Sequence, residues 1–143
     1  MLAFGPMALM VAGIFTGAAF YVTFAEQPAR LTLDDRAALT QWKPSYHRGF
    51  IMQASIAVIG FLFGVGAWFQ DGNVWWLIGA LVLLANWPFT LFVIMPTNKV
   101  LMATPIEEAG PKSRELMQAW GKLHAVRTML GAISTAIFLW MLV

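Results

Sequence analysis

The chain has 143 residues, enough for one small domain, and 59% of them are hydrophobic against 11% charged. With a mean hydropathy of +0.70, it departs from soluble composition towards membrane composition. A formal charge of +2, with no basic patch interleaved with exposed aromatics, argues against nucleic acid as a partner. The absence of cysteine excludes disulfides, thiolate catalysis, iron–sulfur clusters and cysteine-based zinc sites.

Three charge-free runs, Met1–Ala25, Gly49–Gln70 and Gly72–Asn98, each reach the ~20 residues that cross a hydrocarbon core. The fourth, Thr128–Val143, is shorter, so its helix must borrow from the preceding WGKLHAVR stretch, Trp120–Arg127. No basic n-region precedes the first run, which is also too long for an h-region, so a signal peptide is not expected. The expectation is an all-α polytopic membrane protein, a four-transmembrane-helix bundle forming a single domain over 1–143.

The first helix is expected over 2–26. It carries Gly13-Ile-Phe-Thr-Gly17, a step of small residues that lets another backbone approach. Glu26 closes it and Pro28 stops its continuation. In the polar segment that follows, Thr32 or Asp34 could cap a short amphipathic helix at the membrane surface.

The second helix is expected over 45–70, with Pro44 at its start. Tyr46, Gly49, Gln53, Ala57, Gly60 and Gly64 share one seam, which turns Gln53 towards the bundle. Asp71-Gly72-Asn73 reads as a tight turn into a third helix over 74–95. Asn86, Thr90, Val93 and Thr97 share a face of that helix. Pro88 within it frees a backbone carbonyl that a neighbouring polar group or water should satisfy, and Pro96 ends it.

After a surface loop over 97–111 comes a fourth helix, 113–143. On it Met117, Trp120, His124, Arg127, Gly131, Ser134 and Phe138 fall on one seam by alternating three- and four-residue steps. A His and an Arg beside Gly and Ser on a packing face point towards other helices and not towards lipid.

Every Lys and Arg lies in or beside the first and third connections. The positive-inside rule then makes the long loops cytoplasmic and puts both termini outside, in a bacterial inner (plasma) membrane. Trp68, Trp75, Trp76 and Trp140 would form the outer aromatic belt, and Trp42 and Trp120 the inner one.

Counting depth along each span sets Glu26, His47, Arg48, Asn98 and His124 in one layer at the cytoplasmic mouth. Gln53, Asn86, Thr90 and Arg127 lie a turn or more deeper. A one-ended polar cavity of this kind is where a small bundle would hold a ligand.

Several members have plainer readings. Arg48 and Lys122 suit snorkelling anchors; Glu26 could simply pair with one of them. Asn86 and Thr90 could be interhelical glue, and Asn98 could cap the turn after Pro96. Arg127 is different, because an Arg inside the core costs about 2.5–3.5 kcal/mol on insertion scales and needs a partner.

Two chemistries suit the layer. Glu26, His47 and His124 together match the 2-His-1-carboxylate preference of non-haem iron, and imidazole also suits copper, although no local HxxxH or ExxH pair supports a metal. Haem on His47 and His124 is a lesser fit. Without any cofactor, His124 could act as general base, with Arg127 or Asn98 stabilising an oxyanion. Gln53, Asn86, Thr90 and Trp120 would then line the substrate.

The segments GIFTGAAFYVTFAEQPAR, WKPSYHRG, NWPFTLFVIMPTNKVL and WGKLHAVRTMLG resemble the four-helix membrane family that includes the anthrone oxygenases. The resemblance covers nearly the whole chain and is strongest in PTNKVL and WGKLHAVR. It implies a four-helix bundle and, for the characterised branch, oxygenation of an anthrone to an anthraquinone. By position it implies Asn98, His124 and Arg127 as working residues.

The functional expectation is a small membrane oxidoreductase of oxygenase type. It would act on a lipophilic aromatic or quinone-like molecule, with membrane lipid around it. The alternative is a non-catalytic protein that binds haem, lipid or a partner subunit. Gly13–Gly17 and the seam of the second helix leave room for a homodimer.

Overall fold

The computed structural model describes residues 3–143; Leu2, where the first helix is expected to begin, lies outside the described residues. Four helices are long and apolar enough to cross a membrane: α1 (Phe4–Leu31), α2 (Asp35–Asp71), α3 (Val74–Ala103) and α4 (Pro111–Trp140). No strand occurs among the described residues. Each helix packs against its neighbours in sequence and α4 closes against α1, with little contact across the diagonals. Short links between antiparallel helices produce this up-and-down arrangement.

The α2–α3 turn shows the local chemistry at work. Gly72 takes φ 77°, a left-handed conformation that ends α2. The Asp71 carboxylate accepts from the Asn73 N–H at 2.8 Å and the Trp76 indole N–H at 2.7 Å. The Asn73 side chain then accepts from the Trp75 N–H at 3.1 Å to start α3.

Three prolines behave differently from expectation. Pro28 and Pro96 do not end their helices; each follows a single wide π turn, Val22–Glu26 and Thr90–Ile94, and opens a further α segment. A proline has no N–H for the carbonyl four residues back, and its ring crowds that carbonyl. Widening the preceding turn relieves both problems without stopping the helix. Pro44 likewise sits inside α2, so the expected surface helix and second span are one continuous rod, with Asp34 as its N-cap accepting from Ala37.

The π turns also shift which residues face inward. Beyond Thr90 the buried side of α3 runs through Ile94, Asn98 and Leu101, while Val93 is 44% exposed. The regular-helix expectation of Val93 and Thr97 on that face fails for this reason. In α1 the same extra residue brings Gln27 and Arg30 inward.

Two apolar clusters fill the bundle. The one nearer the termini contains Ala8, Ala12, Phe15, Ala57, Ala80, Leu83, Trp76 and Phe138. Its helices meet closely: a Cβ on Gly79 would lie 2.6 Å from the Phe138 ring, and one on Gly60 2.5 Å from a Leu83 methyl. At Gly60 and Gly64 the α2 seam is therefore filled from within the bundle. Gly13 and Gly17 do not support a close approach within the chain; a Cβ on either would meet nothing within 4 Å.

The second cluster, nearer the long connections, contains Leu39, Trp42, Ile94, Leu101, Met117 and Trp120. Trp42 and Trp120 are buried here at 0% and 6% exposure, so they are core residues and not an interfacial belt. Trp76, at the other end, is also buried and stacks on Phe138 at 5.7 Å, leaving Trp75 and Trp140 edge to face at 5.2 Å.

Candidate active site

Between the two clusters lies a polar layer. The α4 seam read from the sequence is buried along its whole length, from Met117 to Phe138. It directs His124 and Arg127 inward at 3% and 8% exposure. Opposite them α2 brings Gln53 and α3 brings Asn86, Thr90 and Asn98, all buried. The layer is one level deeper than the mouth, because Trp42, Trp120, Ile94 and Leu101 roof it on the side of the long connections.

Two adjoining hollows open within the layer. The one nearer the long connections measures about 30 Å³ and draws on all four helices: Val22, Tyr46, Gln53, Asn98, His124 and Arg127 are among its walls. Trp120 also lines it, its ring 5.0 Å from that of His124. The other, about 20 Å³, lies between α2, α3 and Arg127, and is lined by Phe50, Gln53, Ala54, Asn86, Trp87, Thr90 and Leu91. Phe50, Gln53 and Arg127 border both. Each has room for about one or two water molecules.

The layer is rich in unpaired groups. Gln53 Oε1, Asn86 Oδ1, Thr90 Oγ1, both amide atoms of Asn98 and Arg127 Nε are buried without a hydrogen-bond partner. Buried polar atoms are nearly always paired, by protein or by something bound. Asn86 does use its other end, donating from Nδ2 to the Leu83 carbonyl at 2.9 Å, beside the helix break that Pro88 imposes. Arg127 has no carboxylate within salt-bridge distance among the described residues; its guanidinium lies over the Phe15 ring at 5.8 Å.

His124 is oriented from behind. Its Nδ1 lies 3.3 Å from Thr23 Oγ1, and Thr23 Oγ1 lies 2.9 Å from Thr128 Oγ1. With Nδ1–H donating to Thr23, the Nε2 lone pair is the one available to take a proton. Thr23 sits in the α1 π turn, so that turn helps to set the imidazole.

The expected metal ligands do not converge. Glu26 Oε1 accepts from Arg30 at 2.7 Å and Gln41 at 3.1 Å, and from the Ser45 hydroxyl. Its salt-bridge partner is thus Arg30, not Arg48 or Lys122. His47 is exposed, one position round the helix from Tyr46 and off the inward seam. No group of three His, Asp or Glu among the described residues is placed to share a metal ion.

Several site residues were not legible beforehand. Arg30 looked like loop because Pro28 was read as a stop. It is 3% exposed, bonded to Glu26, Gln27 and Gln41, with its guanidinium 5.6 Å from the Trp120 ring. Thr23 and Thr128 carried no pattern beyond their hydroxyls. Phe50, bordering both hollows, follows from the α2 seam, being one residue after Gly49 and four after Tyr46.

Chemically, the layer offers an oriented imidazole, an uncompensated guanidinium, a free carboxamide and flat aromatic walls. Those parts suit a planar molecule that carries or develops negative charge on oxygen.

Comparison with known proteins places the chain in a family. The anthrone oxygenase family model matches residues 42–137, a stretch that includes Gln53, Asn86, Thr90, Asn98, His124 and Arg127. An anthrone oxygenase of Claviceps purpurea (strain 20.1) is 31% identical over 137 residues, covering 85% of this chain and 78% of the fungal protein. No solved structure matches the chain. A helical membrane protein with this polar layer inside the matched region, the chain belongs to the anthrone oxygenase family.

Proposed function

We propose that the protein oxygenates a lipophilic, planar aromatic ketone bearing an acidic methylene group, an anthrone-like molecule. The observation that carries the proposal is Arg127, a buried cation with no carboxylate within salt-bridge distance among the described residues, bordering the same hollow as His124 and Asn98. A substrate oxyanion supplies the missing partner.

His124 takes one methylene proton at Nε2. The electron pair left behind delocalises onto the ketone oxygen, where Arg127 and Asn98 hold the enolate. Trp120 and the amide groups of Gln53 and Asn86, with the Thr90 hydroxyl, fix the ring system. Dioxygen is the oxidant: the enolate passes it an electron, the radical pair joins as a carbon–oxygen bond, and the resulting peroxide anion takes back the proton held on His124 to give a hydroperoxide. Loss of the second methylene hydrogen as a proton, with cleavage of the O–O bond, gives a second carbonyl and water. The sum is CH₂ + O₂ → C=O + H₂O, and it needs no step at a metal.

The distribution of basic residues supports an orientation with both long connections in the cytoplasm.

The direct test is oxygen uptake and quinone formation from anthrone by the purified protein in detergent. His124→Ala should lower turnover by about 100-fold or more, the usual contribution of a positioned base. Unchanged turnover in that variant would remove the acid–base reading.

A further inference from the structure

The hollows accommodate a hydroxyl or a water, not a ring system, so a planar substrate needs a way in. The side facing the long connections is blocked. Trp42 and Tyr46 stack there at 4.8 Å, Trp120 packs edge-on to Trp42 at 5.8 Å, and the bonded group of Glu26, Arg30, Gln41 and Ser45 lies alongside. The terminal side is blocked by glycine-mediated close packing.

Between α2 and α3 the wall is thin. The smaller hollow is bounded there by Trp87 and Leu91, which are 41% and 45% exposed on the lipid-facing surface. Across the groove the Trp87 indole N–H donates to the Ala54 carbonyl at 3.1 Å. That bond joins α3 to α2, and polar contacts of this kind between membrane helices are weak enough to exchange.

The backbone on the α3 side of this groove is also the least regular in the bundle. The helix breaks at Ala85, Pro88 removes a donor, and the π turn occupies Thr90–Ile94. Breaks of this kind are where helices bend. Trp87 and Leu91 lie within this broken stretch.

Resting on the function proposed above, we infer that the α2–α3 groove is a lateral gate, with Trp87 as its movable leaf. A lipophilic aromatic ketone passes through it from the bilayer to the polar layer. Opening breaks the Trp87–Ala54 bond and swings Trp87 outward about the break at Ala85. The ring system then enters the layer beside Phe50, Gln53 and Arg127, which border both hollows. Gly49 marks the competing route, since a side chain there would meet nothing within 4 Å.

The test uses benzophenone, a diaryl ketone that inserts into neighbouring C–H bonds on irradiation, added to the full chain in phosphatidylcholine vesicles. Peptide mass spectrometry reads its attachment at Ile94, which lines the hollow nearer the long connections and is 1% exposed. Attachment at Phe92, 79% exposed to the bilayer, is the internal standard. Ala54→Trp and, as a second plug at a lipid-facing position, Leu91→Trp should each reduce the Ile94/Phe92 ratio at least fivefold. Trp87→Ala should raise it about threefold, and Gly49→Leu should leave it unchanged.

A ratio indifferent to both plugs, or one that falls with Gly49→Leu, overturns the gate. Labelling needs no turnover, so the two proposals fail separately. Gated labelling without anthrone oxidation removes the catalytic reading and keeps the gate. Oxidation with ungated labelling does the reverse.

Discussion

The two halves of the bundle solve opposite problems. Near the termini, glycines and alanines let the helices touch, and Phe15, Trp76 and Phe138 fill what remains. Packing of that kind is the main source of helix association where lipid is as apolar as the side chains. The half nearer the long connections contains both π turns, a helix break, the buried Arg30 network and the layer of unpaired polar atoms. The contrast shows stability concentrated at one end and an under-satisfied, adaptable layer held at the other. Substitutions should separate the two.

The largest expected effect lies in the close-packed half. Gly79→Leu drives a side chain into Phe138 and Ile137. A loss of about 3 kcal/mol is expected, the upper range for overpacking, and it should be seen as a collapse of the folded fraction in detergent melting curves. Next comes Glu26→Gln, which leaves the buried Arg30 without its carboxylate. The amide keeps some hydrogen bonds and the site is partly exposed, so the expected loss is about 1–3 kcal/mol. Elemental analysis should find the same metal content in this variant as in the parent, since Glu26 serves Arg30.

A smaller effect is expected from Asn98→Ala. Removing one oxyanion donor while Arg127 remains should lower anthrone turnover about tenfold, ~1.4 kcal/mol, with the melting temperature close to the parent's. The smallest is His47→Ala: an exposed imidazole off the inward seam should change turnover by less than about twofold and stability by less than about 0.5 kcal/mol. A large loss there would blur the contrast between the halves.

Much of this contrast was legible in the sequence. The α4 seam from Met117 to Phe138 and the α2 residues Gln53, Ala57, Gly60 and Gly64 are buried as their spacing predicts, because a regular helix preserves its period. Prediction weakened where the period changes. Nothing in Thr90–Ile94 announced an extra residue in the turn, so Val93 was expected inside in place of Ile94. In retrospect the signal is proline: both wide turns end two residues before one, at Pro28 and Pro96. The metal set of Glu26, His47 and His124 was read from depth alone. Depth does not fix the angular position of a side chain, and His47 faces outward.

The most direct test of the account is Arg127→Met, with stability and turnover measured on the same preparation. Removing an uncompensated cation from the membrane core should leave stability unchanged or raise it by up to about 2.5–3.5 kcal/mol. Anthrone turnover should fall about 10²–10³-fold as the enolate loses its principal partner. A variant that melts earlier yet oxidises anthrone at the parent's rate would contradict the account and make Arg127 a structural residue.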